Sequence, residues 1–203
     1  MKLRAIDIAN YFVLLSDGGD ITNLKAQKLV YFAYGHYLAK YNESLFEEAI
    51  EAWDYGPVIR DLYEVFKPYK ARPLPLADSF DANIISEEIR KFLQNIYLSY
   101  GEYKAKDLCD LSHIRHSPWY VVYNDDSCND LINDDLIHAY FSELQLISSQ
   151  KITNHIEVAK LLSQDKSLAE TMHILTNPLN AKKLSDALDA SPDDSVEIDW
   201  KND

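Results

Sequence analysis

The stretch Thr22–Phe66, TNLKAQKLVYFAYGHYLAKYNESLFEEAIEAWDYGPVIRDLYEVF, decides the fold. From Leu24 to Leu38 apolar residues recur at helical spacing on more than one side. Leu29, Phe32, Ala33 and His36 share one face, and Tyr31, Gly35 and Leu38 share another. The pattern predicts a helix central to the core. Leu45–Tyr55 carries no helical stripe and predicts extended chain or a short strand. Gly56 and Pro57 punctuate it. Pro57 suits the first turn of a helix, where its missing N–H would be unpaired anyway, and Val58, Leu62, Val65 and Phe66 follow at i, i+4, i+7 and i+8. Pro68 should end that helix.

Working outward, Ala5, Ile8, Ala9, Phe12 and Leu15 predict a first helix that stops at the turn cluster Asp17, Gly18, Gly19 and Asp20. Residues 67–83 contain Pro68, Pro73 and Pro75 and read as an irregular surface loop. Ile89, Phe92, Leu93, Ile96, Tyr97 and Tyr100 form one face of an amphipathic helix with Gly101 just past its end. A shorter helix is expected over Ala105–His113. Asn133 reads as the N-cap of another, whose stripe is Leu136, Ile137, Tyr140, Phe141 and Leu144.

After Leu146 a polar joint, Ser148–Asn154, leads into a less aromatic region. Asn154 with Glu157, and Ser167 with Glu170, have the spacing of reciprocal helix caps. Asn177 and Pro178 open a further short helix carrying Leu179, Leu184 and Leu188, and Ser191 and Pro192 close it. Val196, Ile198 and Trp200 then alternate with Glu197, Asp199 and Lys201, the period of a strand with one apolar face. The expected fold is mainly α: a compact helical domain over 1–147 with a short strand or hairpin, then a small helical region over 148–203 ending in a strand.

Of the 203 residues, 47% are hydrophobic and 12% aromatic, enough apolar surface for one sizeable core. The formal net charge of −13 argues against direct nucleic-acid binding, which depends on Lys and Arg displacing counterions. The same charge would steer the chain toward a basic partner. No run approaches the roughly 20 apolar residues of a membrane helix, and Met1–Leu15 is too interrupted by polar residues for a signal peptide. Two cysteines, Cys109 and Cys128, make no disulfide framework, so the cytoplasm is the expected compartment.

Cys109, His113 and His116, with Cys128 as a fourth ligand, superficially suggest zinc, but the paired spacings of structural zinc sites are absent. Cys109 beside Leu108 and Leu111 reads better as a small core residue. No phosphate loop, nucleophile elbow or zinc-protease motif occurs, and neither a metal nor another cofactor is expected. The aromatic residues in turn contexts, Trp53 and Tyr55 before Gly56 and Pro57, and Trp119 after Pro118, are expected to lock loops onto the core. The functional alternative is a binding surface.

Several uncommon elements occur in order: Gln27, Lys28 and Leu29; Leu45 and Phe46; Ala52, Trp53, Tyr55, Gly56, Pro57 and Val58; Leu111, Ser112 and His113; Pro118 and Trp119. Together with LINDDLIHAYF (131–141), they resemble the opening and closing signatures of the SocA-like antitoxin family, also called Panacea, over roughly the first 145 residues. Ala26 stands where that family usually shows Leu, and Ser112 where it often shows Thr. The resemblance implies a mainly helical, non-enzymatic domain of bacterial and phage toxin–antitoxin pairs, one member of which presents its toxin to the protease ClpXP.

Residues 168–188, LAETMHILTNPLNAKKLSDAL, are similar to the toxin-binding tail of Phd/YefM-type antitoxins. The DNA-binding half of those antitoxins is not apparent. The resemblance implies an antitoxin that binds its toxin through Met172, Leu175, Pro178, Leu179, Leu184 and Leu188, extended by Val196, Ile198 and Trp200. By analogy with the tail's usual partners, the toxin would be a small basic ribonuclease of the RelE or YoeB kind. A ClpXP-type protease adaptor is the runner-up. An enzyme using Cys109 or the nearby histidines is the reading from another class, and a homo-oligomer is compatible with all three.

Overall fold

The computed structural model describes residues 3–19, 21–124 and 129–149. Over these residues the chain is mainly helical, with one small sheet. Helix α1 (Ala5–Leu15) and helix α2 (Asn23–Tyr41) lead into strands β1 (Ile50–Trp53) and β2 (Gly56–Ile59), followed at once by α3 (Arg60–Phe66). Then come α4 (Glu87–Tyr100), α5 (Ala105–Ser112), α6 (Pro118–Val122), the two-residue strand β3 (Asp130–Leu131) and α7 (Asp134–Ser149).

Helix α2 is the axis of the molecule, as its two-sided apolar pattern requires. It packs against α1, α4, α5, α7 and β2. Leu29, Val30, Tyr31, Phe32 and Ala33 are all buried, so no solvent-facing stripe survives through its middle. Thr22 caps its start, Oγ1 accepting from Lys25 N–H at 3.3 Å. Asn42 ends it in the left-handed conformation (φ 55), its N–H donating to Leu38 O at 2.8 Å.

Helix α7 approaches α2 so closely at Gly35 that a side-chain carbon there would collide with the ring of Phe141. Around that contact sits an aromatic core. Phe32 stacks on Tyr100 with centroids 4.6 Å apart, and His36 Nε2 shares a 2.8 Å hydrogen bond with the Tyr100 hydroxyl. Asn133 caps α7 as expected, Oδ1 accepting from Asp135 N–H at 2.6 Å. The Tyr34 hydroxyl donates to Asp134 at 2.8 Å, and Gln145 Nε2 donates to the carbonyl of His36 at 3.0 Å.

The sheet has the order β2-β1-β3, antiparallel throughout, with Ile50 opposite Ile59 and Trp53 opposite Gly56. The structure departs from the sequence reading at two points. Pro57 and Val58 do not open a helix but belong to β2, and α3 starts three residues later at Arg60. A proline is tolerated in this strand because its position turns the missing N–H away from β1, so no ladder bond is lost. The second correction is β3, which the sequence did not signal: Ile132 N–H donates to Ile50 O at 2.8 Å and holds the segment against β1.

The loop after α3 is pinned rather than free. Leu74 is buried, and its N–H donates to Ile21 O at 2.8 Å. No helix among the described residues is long and apolar enough to cross a membrane.

Candidate functional site

Strand β2 is an edge strand, and its outward main-chain groups need partners because α2 covers them. Gln27 and Lys28 supply them. Ile59 N–H donates to Gln27 Oε1 at 2.8 Å, and Gln27 Nε2 donates back to Ile59 O at 3.2 Å. Two residues earlier along the strand, Lys28 Nζ donates to Pro57 O at 2.8 Å. Outward-facing groups recur every second residue of a strand, so Gln27 and Lys28 together stand in for a missing neighbouring strand.

Lys28 is fully buried, which is unusual for a lysine. Burial lowers its pKa to about 7, opposed in part by the nearby Cys109 thiol, whose own pKa burial raises. Gly56 lies directly over this ammonium with φ +98; a Cβ there would sit 2.6 Å from Ser112 Oγ, 2.8 Å from Lys28 Nζ and 3.1 Å from His113 Nε2. Gly is required at this position by both conformation and space.

The α5–α6 corner closes over the same point. Ser112 Oγ donates to Cys109 O at 2.8 Å, and Ser117 Oγ donates to Ser112 O at 2.7 Å while capping α6 through Tyr120 N–H. Trp119 Nε1 donates to Trp53 O at 2.7 Å and fastens the corner to the hairpin. The ring of His113 stacks on Trp119 with centroids 3.7 Å apart, and its buried Nε2 finds no hydrogen-bond partner among the described residues. Desolvation, then the Lys28 charge, lowers the His113 pKa to about 4. Ser112 and Lys28 are the residue types of a serine–lysine nucleophile pair, but both are closed to solvent and the hydroxyl is engaged with a carbonyl.

What the hairpin shows to solvent is aromatic. Trp53 is half-buried, its ring edge-on to Tyr63 at 5.0 Å and covered by the Arg60 guanidinium at 5.3 Å. Glu51 gathers this group, accepting from Trp53 Nε1 at 2.8 Å and from Arg60 through two bonds of 2.9 and 2.7 Å. Partial burial acts to raise the Glu51 carboxyl, but these hydrogen bonds outweigh it and hold the pKa below the usual range. Beside them runs a groove of about 720 Å³ whose lining includes Leu24, Trp53, Tyr55, Val58, Tyr63, Lys67 and Lys70.

The expectation that all three turn aromatics lock loops therefore divides. Trp119 is buried and does so, Trp53 is shared between scaffold and surface, and Tyr55 is 71% exposed and locks nothing. Cys109 is a buried core residue, as read. Among the described residues no three His, Cys, Asp or Glu side chains are grouped to hold a metal, and Cys128 lies outside them. Met172, Leu175, Pro178, Leu179, Leu184, Leu188, Val196, Ile198 and Trp200 also lie outside the described residues. Sequence reasoning missed the buried role of Lys28. Its only signal was the Gln27–Lys28–Leu29 motif itself, since a lysine on a helix ordinarily faces water.

Residues 26–120 match the model of the family described as Antitoxin SocA-like, Panacea domain. The matched span opens one residue before Gln27 and closes one residue after Trp119, so it takes in both halves of the buried junction. The chain is 28% identical over 120 residues to Antitoxin SocA of Caulobacter vibrioides (strain NA1000 / CB15N), an alignment covering 54% of this chain and 63% of that relative. No solved structure matches.

Proposed function

We propose that this chain, whose residues 26–120 carry a SocA-like Panacea domain, is a cytoplasmic antitoxin that neutralises a cognate toxin by direct protein–protein binding and catalyses no reaction. The family match is the observation that carries this reading. The geometry agrees with it: Gln27, Lys28 and Trp119 spend their polar groups on main-chain atoms of the hairpin, and Ser112 spends its hydroxyl on a carbonyl of its own helix. That is the work of a scaffold.

The toxin-binding segment in this reading is 148–203, with Met172, Leu175, Pro178, Leu179, Leu184 and Leu188 as apolar anchors and Val196, Ile198 and Trp200 as a strand added to a toxin sheet edge. Short amphipathic segments with little core of their own bury such residues against a partner. The net charge of −13 suits a basic toxin, and a RelE- or YoeB-like ribonuclease has that character.

Co-expression with a candidate toxin, a RelE- or YoeB-like ribonuclease first, tests the reading. The full chain should restore growth and co-purify with the toxin. Deleting residues 165–203 should leave the first domain folded and weaken both effects. Growth rescue with no complex formed would count against direct neutralisation, and a truncated chain that binds as tightly as the full one would remove the tail from the account.

A further inference from the structure

The hairpin groove differs in charge from other cavities in the molecule. The cavity below Tyr34 and Ile50 is lined by Glu47, Glu48 and Asp134 and by no base, and the one over Asp7 by Arg4 against Asp7 and Asp81. The hairpin groove sets Lys67 and Lys70 against Asp54 alone, between aromatic walls. Lys67 Nζ stands 5.6 Å over the Tyr63 ring, and its 3.4 Å pair with Glu64 is solvent-exposed on both sides. Such a pair contributes little and exchanges readily for another carboxylate. The groove therefore fits an extended segment that offers apolar side chains on one face and carboxylates on the other.

A chain of net charge −13 repels a free acidic partner at long range, so an acidic occupant is best supplied by a tether. Residues 193–203, DDSVEIDWKND, have the matching chemistry: Val196, Ile198 and Trp200 alternate with Glu197, Asp199 and Lys201, and Asp193, Asp194 and Asp203 keep the segment acidic. We infer that this segment docks in the hairpin groove of its own molecule, and that a toxin must displace it before the tail can engage. The second clause rests on the antitoxin reading; the docking itself does not.

Reach is no obstacle. From the end of α7 at Ser149 to Asp193 the chain can extend to roughly 145 Å, at about 3.3 Å per residue. Tethering also supplies an effective concentration on the order of millimolar or below, so a weak contact suffices. The groove offers Trp53, Tyr55 and Tyr63 to the apolar face of such a segment, and Lys67 and Lys70 to its carboxylates.

The test uses the full chain without toxin. Zero-length carbodiimide coupling followed by mass spectrometry should join Lys67 or Lys70 to a carboxylate within 193–203, with a yield independent of protein concentration. Amide exchange of 193–203 should be at least about tenfold slower than for an unstructured peptide. The double variant Lys67→Glu, Lys70→Glu should restore the unstructured rate, and adding Glu197→Lys and Asp199→Lys should slow it again. Both lysines are on the surface, and an unchanged melting temperature in the double variant shows that it folds. Exchange at the unstructured rate in the natural chain overturns the proposal, as do couplings that rise with concentration, which would place the tail on a second copy. Neutralisation assays play no part, so failure here leaves the antitoxin reading standing.

Discussion

Gln27 and Ile59 exchange two hydrogen bonds, 2.8 Å from the strand N–H to the side-chain oxygen and 3.2 Å from the side-chain amide to the strand carbonyl. One glutamine thereby satisfies a buried strand position that would otherwise need another strand. Gln27→Ala should leave both Ile59 groups unpaired and destabilise the domain by about 2–4 kcal/mol. Gln27→Glu keeps the acceptor, loses the donor and buries a charge, so it should be at least as damaging. Denaturant melts measure both, and an unchanged midpoint for Gln27→Ala would contradict the pairing.

Gly56→Ala should be costly although it adds one carbon. Its φ of +98 disfavours any side chain, and the new carbon would press on Ser112 and Lys28 within a closed junction. About 1–3 kcal/mol of destabilisation is expected from the backbone conformation alone. A thermal melt equal to that of the natural chain would show that the junction opens freely.

The two tryptophans at the hairpin should separate in their effects. Trp119 is 8% exposed and stacked on both His113 and Tyr123, so Trp119→Ala should cost about 3–5 kcal/mol. Trp53 is only half-buried, so Trp53→Ala should cost roughly half as much on the same scale. Urea unfolding of the two variants side by side tests the order, and the reverse order would contradict it.

Stability should climb with pH on the alkaline side of neutrality. Lys28 titrates at about 7 when folded against 10.5 for an ordinary lysine, so between those values the unfolded chain binds the extra proton. Unfolding therefore becomes harder as pH rises, by up to about 1.4 kcal/mol per pH unit from this group, and below about pH 7 its contribution is flat. His113 adds the same sign between about 4 and 6.5. Urea midpoints from pH 7 to 9.5 measure the slope for Lys28, and Lys28→Met should flatten it. Equal slopes in both proteins would mean that Lys28 stays charged in the fold.

The long elements were legible in the sequence because their apolar residues repeat at the helical period over several turns: α1, α2, α4 and α7 are all found where that period places them, and the shorter α5 is found within its expected bounds. Pro57 misled because a proline followed by Val58, Leu62 and Phe66 satisfies the pattern of a helix start. Its strand character rests on the pairing with β1 and on the bonds from Gln27 and Lys28, made about 30 residues away along the chain. Strand β3 is two residues long and has no period to detect. Lys28 was legible as part of a motif but not as a buried cation, since nothing local in LKAQKLV distinguishes it from a solvated lysine. The place of Tyr55 beside Gly56 suggests a loop anchor, yet its side chain is exposed.

Titration of purified toxin with the purified full chain, without protease or ATP, distinguishes neutralisation by stoichiometric binding from presentation to a protease. Toxin activity should fall linearly and vanish at a fixed stoichiometric ratio, with a complex of the same ratio recovered by size-exclusion chromatography. Full toxin activity at several-fold molar excess of the chain, restored to inhibition only when an unfoldase–protease is added, would contradict it and make the chain an adaptor instead.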